Sequence, residues 1–216
     1  MELLRHSDKE GCARRAAALM ADPEIVHLCL AGGSTPQRAY ELLGGLRSSW
    51  EGVHLWFGDE RCVAPDDDEA NWAMATRALD APGAEWHRIQ GELGPDEAAE
   101  AYAAELEGVA LDLVLLGLGE DGHTASLFPG NAALDSSDPV VGVRGAPKPP
   151  PERVSLGLDL LNAAGRIVLL VAGEGKREPL ARVLAGPDPD VPASLLDRSR
   201  LTVIADAAAL GEPTES

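Results

Sequence analysis

A short, almost uninterrupted apolar run that ends in glycine recurs along this chain, and no other feature constrains its fold as strongly. Ile25 to Leu30, Val53 to Phe57, Leu111 to Leu116, Ile167 to Val171 and Leu201 to Ala205 have the length and residue types of β-strands. A half-exposed strand would alternate apolar with polar residues. These runs do not alternate, so each is expected to be buried on both faces, as in a parallel sheet. Helical patterns of crossover length separate them. The clearest places Ala39, Leu42, Leu43 and Leu46 at i, i+3, i+4 and i+7, one apolar stripe, with Gly44-Gly45 weakening its last turn. Further helices are expected over Lys9 to Met20, Glu69 to Leu79, Asp96 to Glu107 and Lys176 to Leu184. The implied class is α/β: a doubly wound, mainly parallel, Rossmann-like sheet with helices on both faces.

Glycines follow four of these runs directly, at Gly32-Gly33, Gly58, Gly117 to Gly119 and Gly173 to Gly175. In an open parallel sheet the loops at the carboxyl ends of the strands share one edge, and ligands bind there. Those four loops are therefore where chemistry is expected.

Composition narrows the possibilities further. With 216 residues, 45% of them hydrophobic, the chain suits one substantial core, and a single domain over residues 1–216 is expected. No apolar run approaches the roughly 18 to 20 residues of a spanning helix. Met1 to Met20 interleaves charged residues with apolar ones, so neither a membrane segment nor a leader is expected. Cys12, Cys29 and Cys62 are odd in number and far apart, which fits a reducing, cytoplasmic setting better than a disulfide framework or metal-ligand spacing. A net charge of -18 removes the attraction that drives nucleic-acid or anionic-membrane binding. An anionic ligand would need a locally positive site. A monomer or weak homo-oligomer is expected.

The first glycine loop reads Ala31-Gly32-Gly33-Ser34-Thr35-Pro36, where backbone can approach a ligand closely, Ser34 or Thr35 can cap a helix, and Pro36 suits a first helical turn. Such a helix start favours phosphate; an ordinary capped turn reads the same way. The loop lacks the third glycine of the dinucleotide fingerprint, the Gly-Lys-Ser/Thr of a P-loop and a Gly-x-Ser-x-Gly elbow. After the second strand, Gly58-Asp59-Glu60-Arg61 offers a carboxylate for proton handling and a guanidinium for an anion, or else a surface ion pair. Asn71 on the following helix can face the same loop. Cys62 has no identifiable base and reads as a bystander.

Gly117-Leu118-Gly119-Glu120-Asp121-Gly122-His123-Thr124-Ala125-Ser126-Leu127-Phe128-Pro129 is the most specific stretch. A loop so rich in glycine presents Asp121 and His123 at close range, and an imidazole can take a proton from water and return it to a leaving alcohol. His6, His27, His54 and His87 read as structural or exposed. Asp121 and His123 lack third and fourth partners at metal-ligand spacing, so no metal is expected. Ser126 as a covalent nucleophile has no supporting pattern. Lys148 and Arg153 flank the stiff, extended run Pro147 to Pro151, and Lys176 follows Gly173-Glu174-Gly175, so these cations can meet a dianion. Arg144, Arg177 and Arg182 read as solvated surface charges.

Taken in order, these motifs resemble the 6-phosphogluconolactonase family, which shares a superfamily with the glucosamine-6-phosphate deaminases. The resemblance implies hydrolysis of 6-phospho-D-glucono-1,5-lactone in the oxidative pentose phosphate pathway, without metal or coenzyme. It implies His123 as general base with Asp121 or Asp59 orienting it. Gly32, Gly33, Ser34, Thr35 and Lys176, with Lys148 or Arg153, would hold the 6-phosphate, and Arg61 or loop N–H groups would stabilise the oxyanion. The deaminase branch continues the Asp-Gly-His segment with Asn-Glu-Pro, whose Glu pairs with the His; here the positions read Leu127-Phe128-Pro129. A non-catalytic sugar-phosphate regulator is the remaining alternative of another class, resting on fold analogy alone.

Overall fold

A computed structural model describes residues 1–213, so 214–216 of the expected domain lie outside the described residues. The apolar runs form the centre of a seven-stranded parallel sheet. In chain order its strands are β1 (Glu2–His6), β2 (His27–Leu30), β3 (His54–Phe57), β5 (Glu85–Trp86), β6 (Leu113–Gly117), β9 (Arg166–Val171) and β10 (Leu201–Asp206), arranged β1-β10-β9-β6-β2-β3-β5. Five of these coincide with the expected runs. β1 and β5 go beyond them: both are edge strands, half-exposed or only two residues long, and carry too little apolar signal.

Helices α1 (Lys9–Met20), α2 (Ser34–Leu43), α3 (Asn71–Ala78), α4 (Pro95–Glu105) and α6 (Arg177–Ala185) stand within a residue or two of expectation. α2 is the exception at its end. It stops at Leu43, and Leu46, expected on its apolar stripe, is 54% exposed. Gly44-Gly45 ends the helix rather than merely weakening it. Two short helices, α5 (Leu158–Ala163) and α7 (Ala207–Leu210), lie outside the expected pattern. Neighbouring strand residues point to opposite faces. Trp56 meets Tyr102 of α4, while Phe57 meets Trp72 of α3, so those helices cover opposite faces of the sheet. α3 packs on α2 and α2 on α1, completing the first layer.

From β2 the chain builds outward through β3 and β5, then returns to β6 on the other side of β2 and builds β9 and β10. The reversal lies between β2 and β6, where an open parallel sheet leaves a crevice at the strands' carboxyl ends. A second, antiparallel sheet stands beside it: β4 (Asp59–Arg61), β7 (Val140–Val143) and β8 (Arg153–Leu156), in the order β4-β8-β7. The chain steps from β3 into β4 at Gly58, whose carbonyl accepts Leu156 N–H at 2.8 Å. This small sheet has no counterpart among the expected strands, since Asp59-Glu60-Arg61 has no apolar content. The proline run is not extended as expected. It forms the bent tip joining β7 to β8, closed by Ala146 N–H to Pro151 O at 3.0 Å. Arg153 gathers the tip's carbonyls, with Nε donating to Pro150 O at 3.1 Å and Nη2 to Lys148 O at 3.1 Å.

Candidate active site

The loop leaving β6 folds tightly back on itself. Gly119 N–H donates to His123 O at 2.8 Å, Gly122 N–H to Gly119 O at 3.1 Å, and Thr124 Oγ1 to Gly117 O at 2.9 Å. This return requires glycine at 119, because a Cβ there would lie 2.5 Å from Asp121 Oδ1 and nearer still to the His123 ring. Asp121 Oδ1 accepts the His123 backbone N–H at 3.2 Å and lies 2.5 Å from Nδ1 of the same ring. With Nδ1 engaged, Nε2 is the nitrogen left for a ligand. Partial burial by itself raises the Asp121 carboxyl, but the hydrogen bond and charge of His123 outweigh it and bring the group down to about 2. The buried Phe128 ring packs against His123 with centroids 4.5 Å apart, and the Arg153 guanidinium stands 5.5 Å from that ring's centre.

β4 supplies the neighbouring wall. Glu60 does not pair with Arg61 through its side chain. Its Oε1 accepts the N–H groups of Arg61 and Asn71, and Oε2 that of Trp72, each at 2.7 Å. This carboxyl closes the start of α3, which has no side-chain cap from its own N-cap residue. Burial pushes Glu60 up to about 7 against the pull of those three N–H groups. Fixing α3 aims Asn71 at Asp59: Nδ2 donates to Asp59 O at 2.9 Å and to Oδ1 at 3.2 Å. Ser126 Oγ donates to Asp59 Oδ2 at 2.6 Å. Asp59 is thus held by Asn71 and Ser126, while His123 pairs with Asp121. Ser126 is fully buried and occupied by Asp59, an arrangement that does not present a nucleophile. Burial, with Glu152 and Glu60 nearby, raises the Cys62 thiol to about 11, consistent with a bystander.

The loops enclose a cavity of about 350 Å³, and its wall includes Asp59, His123, Phe128 and Asn71. Gly32 and Gly33 line it; Ser34 and Thr35 do not. Neither caps α2 as expected, because the helix already includes both and its N-cap is Gly33. Ser34 Oγ instead accepts Lys9 Nζ at 2.9 Å. Among the described residues, the wall carries the cations Arg61, Lys148, Arg153 and Lys176 and the single carboxylate Asp59, so a chain of net charge -18 has a locally positive site. The antiparallel register sets Arg61 directly opposite Arg153. Burial and the neighbouring Arg61 charge lower the proton affinity of Arg153, and burial likewise lowers that of Lys176. Arg61 Nη1 donates to Glu69 O at 2.5 Å, while its buried Nε has no protein partner among the described residues. Lys148 Nζ lies 3.7 Å from Glu120.

One support escapes the sequence pattern. Asp206, buried at the end of β10, accepts Gly173 N–H at 3.0 and 3.1 Å and Ala209 N–H at 2.8 Å, holding the loop that carries Lys176 while capping α7. Its signal was a capping Asp before Ala207-Ala208-Ala209. Asn71, which the sequence allowed to face the loop after the second strand, does so through its two hydrogen bonds to Asp59.

Residues 2–205 match the family described as glucosamine-6-phosphate isomerases/6-phosphogluconolactonase. A protein of Nostoc sp. named 6-phosphogluconolactonase is 35% identical, the match covering 86% of this chain and 83% of the relative. One of Streptomyces coelicolor with the same name is 34% identical over 98% and 94% of the two chains. The crystal structure of 6-phosphogluconolactonase from Leishmania guyanensis superposes with a TM-score of 0.84 at 26% identity, covering 100% of this chain and 99% of that one. On its sequence, its sheet and its crevice, the chain belongs to the glucosamine-6-phosphate isomerase/6-phosphogluconolactonase family.

Proposed function

We propose that this chain hydrolyses 6-phospho-D-glucono-1,5-lactone to 6-phosphogluconate, the activity by which its close relatives are named. The family also includes sugar-phosphate isomerases, so one observation has to separate the two chemistries. The ring of Phe128 packs 4.5 Å from His123, within the stretch where the resemblance to the deaminase branch would require a Glu to pair with that His. An apolar ring cannot shuttle a proton for sugar-ring opening, whereas lactone hydrolysis needs only one base and water.

In the proposed mechanism, His123 Nε2 takes a proton from water as its oxygen adds to the lactone carbonyl carbon. Asp121 holds the ring through Nδ1 and stabilises the imidazolium. The tetrahedral oxyanion is met by Arg61 or by loop N–H groups. Collapse breaks the bond from C1 to the ring oxygen, which leaves with the proton carried by His123, and the acid product ionises. Asp59, fixed by Asn71 and Ser126, adds a negative charge to the wall and tunes the imidazolium. The 6-phosphate is held by the Gly32-Gly33 backbone with Lys176, Lys148 and Arg153, and binding energy from this non-reacting group orients the carbonyl. Ser34 and Thr35, which do not line the cavity, are given no contact to the phosphate.

The test is turnover of freshly prepared lactone, corrected for spontaneous hydrolysis, by wild type and His123→Ala. A loss of about 10²-fold or more is expected for a general base. Equal rates would overturn the mechanism, and ammonia release from glucosamine 6-phosphate would overturn the assignment.

A further inference from the structure

The sheet's opposite edge carries a second cluster of ionisable side chains, remote from the strand ends that build the cavity. His27, His54 and Glu85 are the first residues of β2, β3 and β5 and lie side by side in register. His87 shares a face with Glu85, two residues away on the same extended segment, and its N–H donates to Leu55 O at 2.8 Å. His54 Nδ1 stands 3.0 Å from His87 Nε2 and 3.6 Å from Glu85 Oε2, and one ligand atom from each of the three lies within 4.8 Å of the others.

We propose that His54, His87 and Glu85 bind a divalent transition-metal ion of the zinc class, at a site separate from the cavity. Two imidazoles and one carboxylate are a ligand set that zinc takes, with its fourth position left to water. Imidazole nitrogen selects against calcium and magnesium, which prefer oxygen. Tetrahedral bonds of about 2.0–2.1 Å set two ligating nitrogens about 3.3 Å apart, so the pair needs to open by only about 0.3 Å.

The outer contacts fit as well. If Nε2 binds the ion, Nδ1 carries the ring proton, and Glu105 Oε2 stands 3.6 Å from it on α4. Metal-bound imidazoles ordinarily donate their second N–H to such a carboxylate. Trp56 stacks on His87 with centroids 3.8 Å apart, and His27 stacks on His54 at 4.6 Å, which limits rotation of both ligands. The ion would cross-link β3 to β5, the two-residue strand that ends the sheet. Its role is therefore to anchor the sheet's edge, and it is independent of the proposed chemistry at His123.

The experiment titrates chelator-treated full-length protein with zinc chloride by calorimetry, alongside thermal melting and cobalt(II) absorption. Expected are one ion per chain and the visible bands of four-coordinate cobalt. A melting temperature raised by about 5–10 °C is expected at a hundredfold excess over Kd. His54→Ala and His87→Ala should each weaken binding at least ~100-fold, and Glu105→Gln by about tenfold. His123→Ala should leave it unchanged. His54→Gln and His87→Gln serve where alanine destabilises the fold. No zinc binding by wild type at about 100 µM would overturn the proposal, leaving an ordinary N–H···N contact between the rings. Binding that survives both histidine substitutions, or that is lost in His123→Ala, would overturn it equally.

Discussion

Gly119→Ala tests whether the Asp121–His123 geometry governs turnover. The new Cβ would stand 2.5 Å from Asp121 Oδ1 and closer to His123 Nδ1 and Cε1, where ordinary contact begins at 3.4 Å. The backbone at 119 is held by its hydrogen bond to His123 O, so the imidazole has to give way. The required displacement is on the order of 1 Å, and a misplacement of that size lowers rate by about 10²-fold. Separation of the ring from Asp121 adds to this, so kcat/KM for the lactone should fall by roughly 10² to 10³, or about 2.7–4 kcal/mol in the barrier. Overpacking should also remove about 1–3 kcal/mol of stability, lowering Tm by roughly 2–10 °C. Gly45→Ala is the matched control, since a Cβ there meets nothing within 4 Å. If Gly119→Ala is folded and keeps more than about a third of wild-type kcat/KM, the reasoning from dyad geometry to catalysis is refuted.

Ser126→Ala removes the hydroxyl that donates to buried Asp59 at 2.6 Å; a loss of about 1–3 kcal/mol in urea unfolding is expected, with turnover kept within about tenfold. A loss of about 10⁴-fold or more in a folded variant would instead make Ser126 a nucleophile. Asp121→Asn should show a pH-dependent stability difference from wild type. The folded carboxyl is depressed from 3.8 to about 2, so its contribution is present above the unfolded value and is lost as pH falls through about 2. The shift corresponds to about 2.4 kcal/mol, which screening at a side chain 38% exposed reduces to about 1 kcal/mol. Urea midpoints at pH 7 should therefore differ and converge between about pH 4 and pH 2; a constant difference would refute the assignment. Lys176→Ala should raise KM for the lactone and weaken 6-phosphogluconate binding by about tenfold or more; unchanged affinity would remove Lys176 from the phosphate site.

The five central strands were legible because burial on both faces demands unbroken apolar runs, a local signal that needs no knowledge of partners. The glycines ending four of them marked the functional edge for the same kind of reason: a backbone that must turn sharply or approach another group excludes a Cβ. That Asp121 and His123 share one glycine loop was legible, because residues this close in sequence are neighbours whatever the rest of the chain does; which carboxylate pairs with the imidazole was not.

What depended on residues distant in sequence was settled only by the fold. Asp59 and Asp121 were equivalent candidates to partner His123 until Asn71 and Ser126 were seen to hold Asp59 and the loop's return placed Asp121 on Nδ1. Arg61 and Arg153 lie far apart in the chain and face each other only through the register of a small sheet whose first strand, Asp59-Glu60-Arg61, is too polar to announce itself. Ser34 and Thr35 looked like caps by type, but the cap position went to Gly33, one residue earlier, where the turn begins. His54, Glu85 and His87 carry no spacing that marks a metal site, because two adjacent strands, not one loop, bring them together. The sequence by itself thus determined which segments are buried and which loop carries the imidazole, since those follow from local patterns of apolar residues and glycine. Which charges meet was decided by the tertiary structure, because strand register and helix placement are cooperative properties of the whole packed sheet.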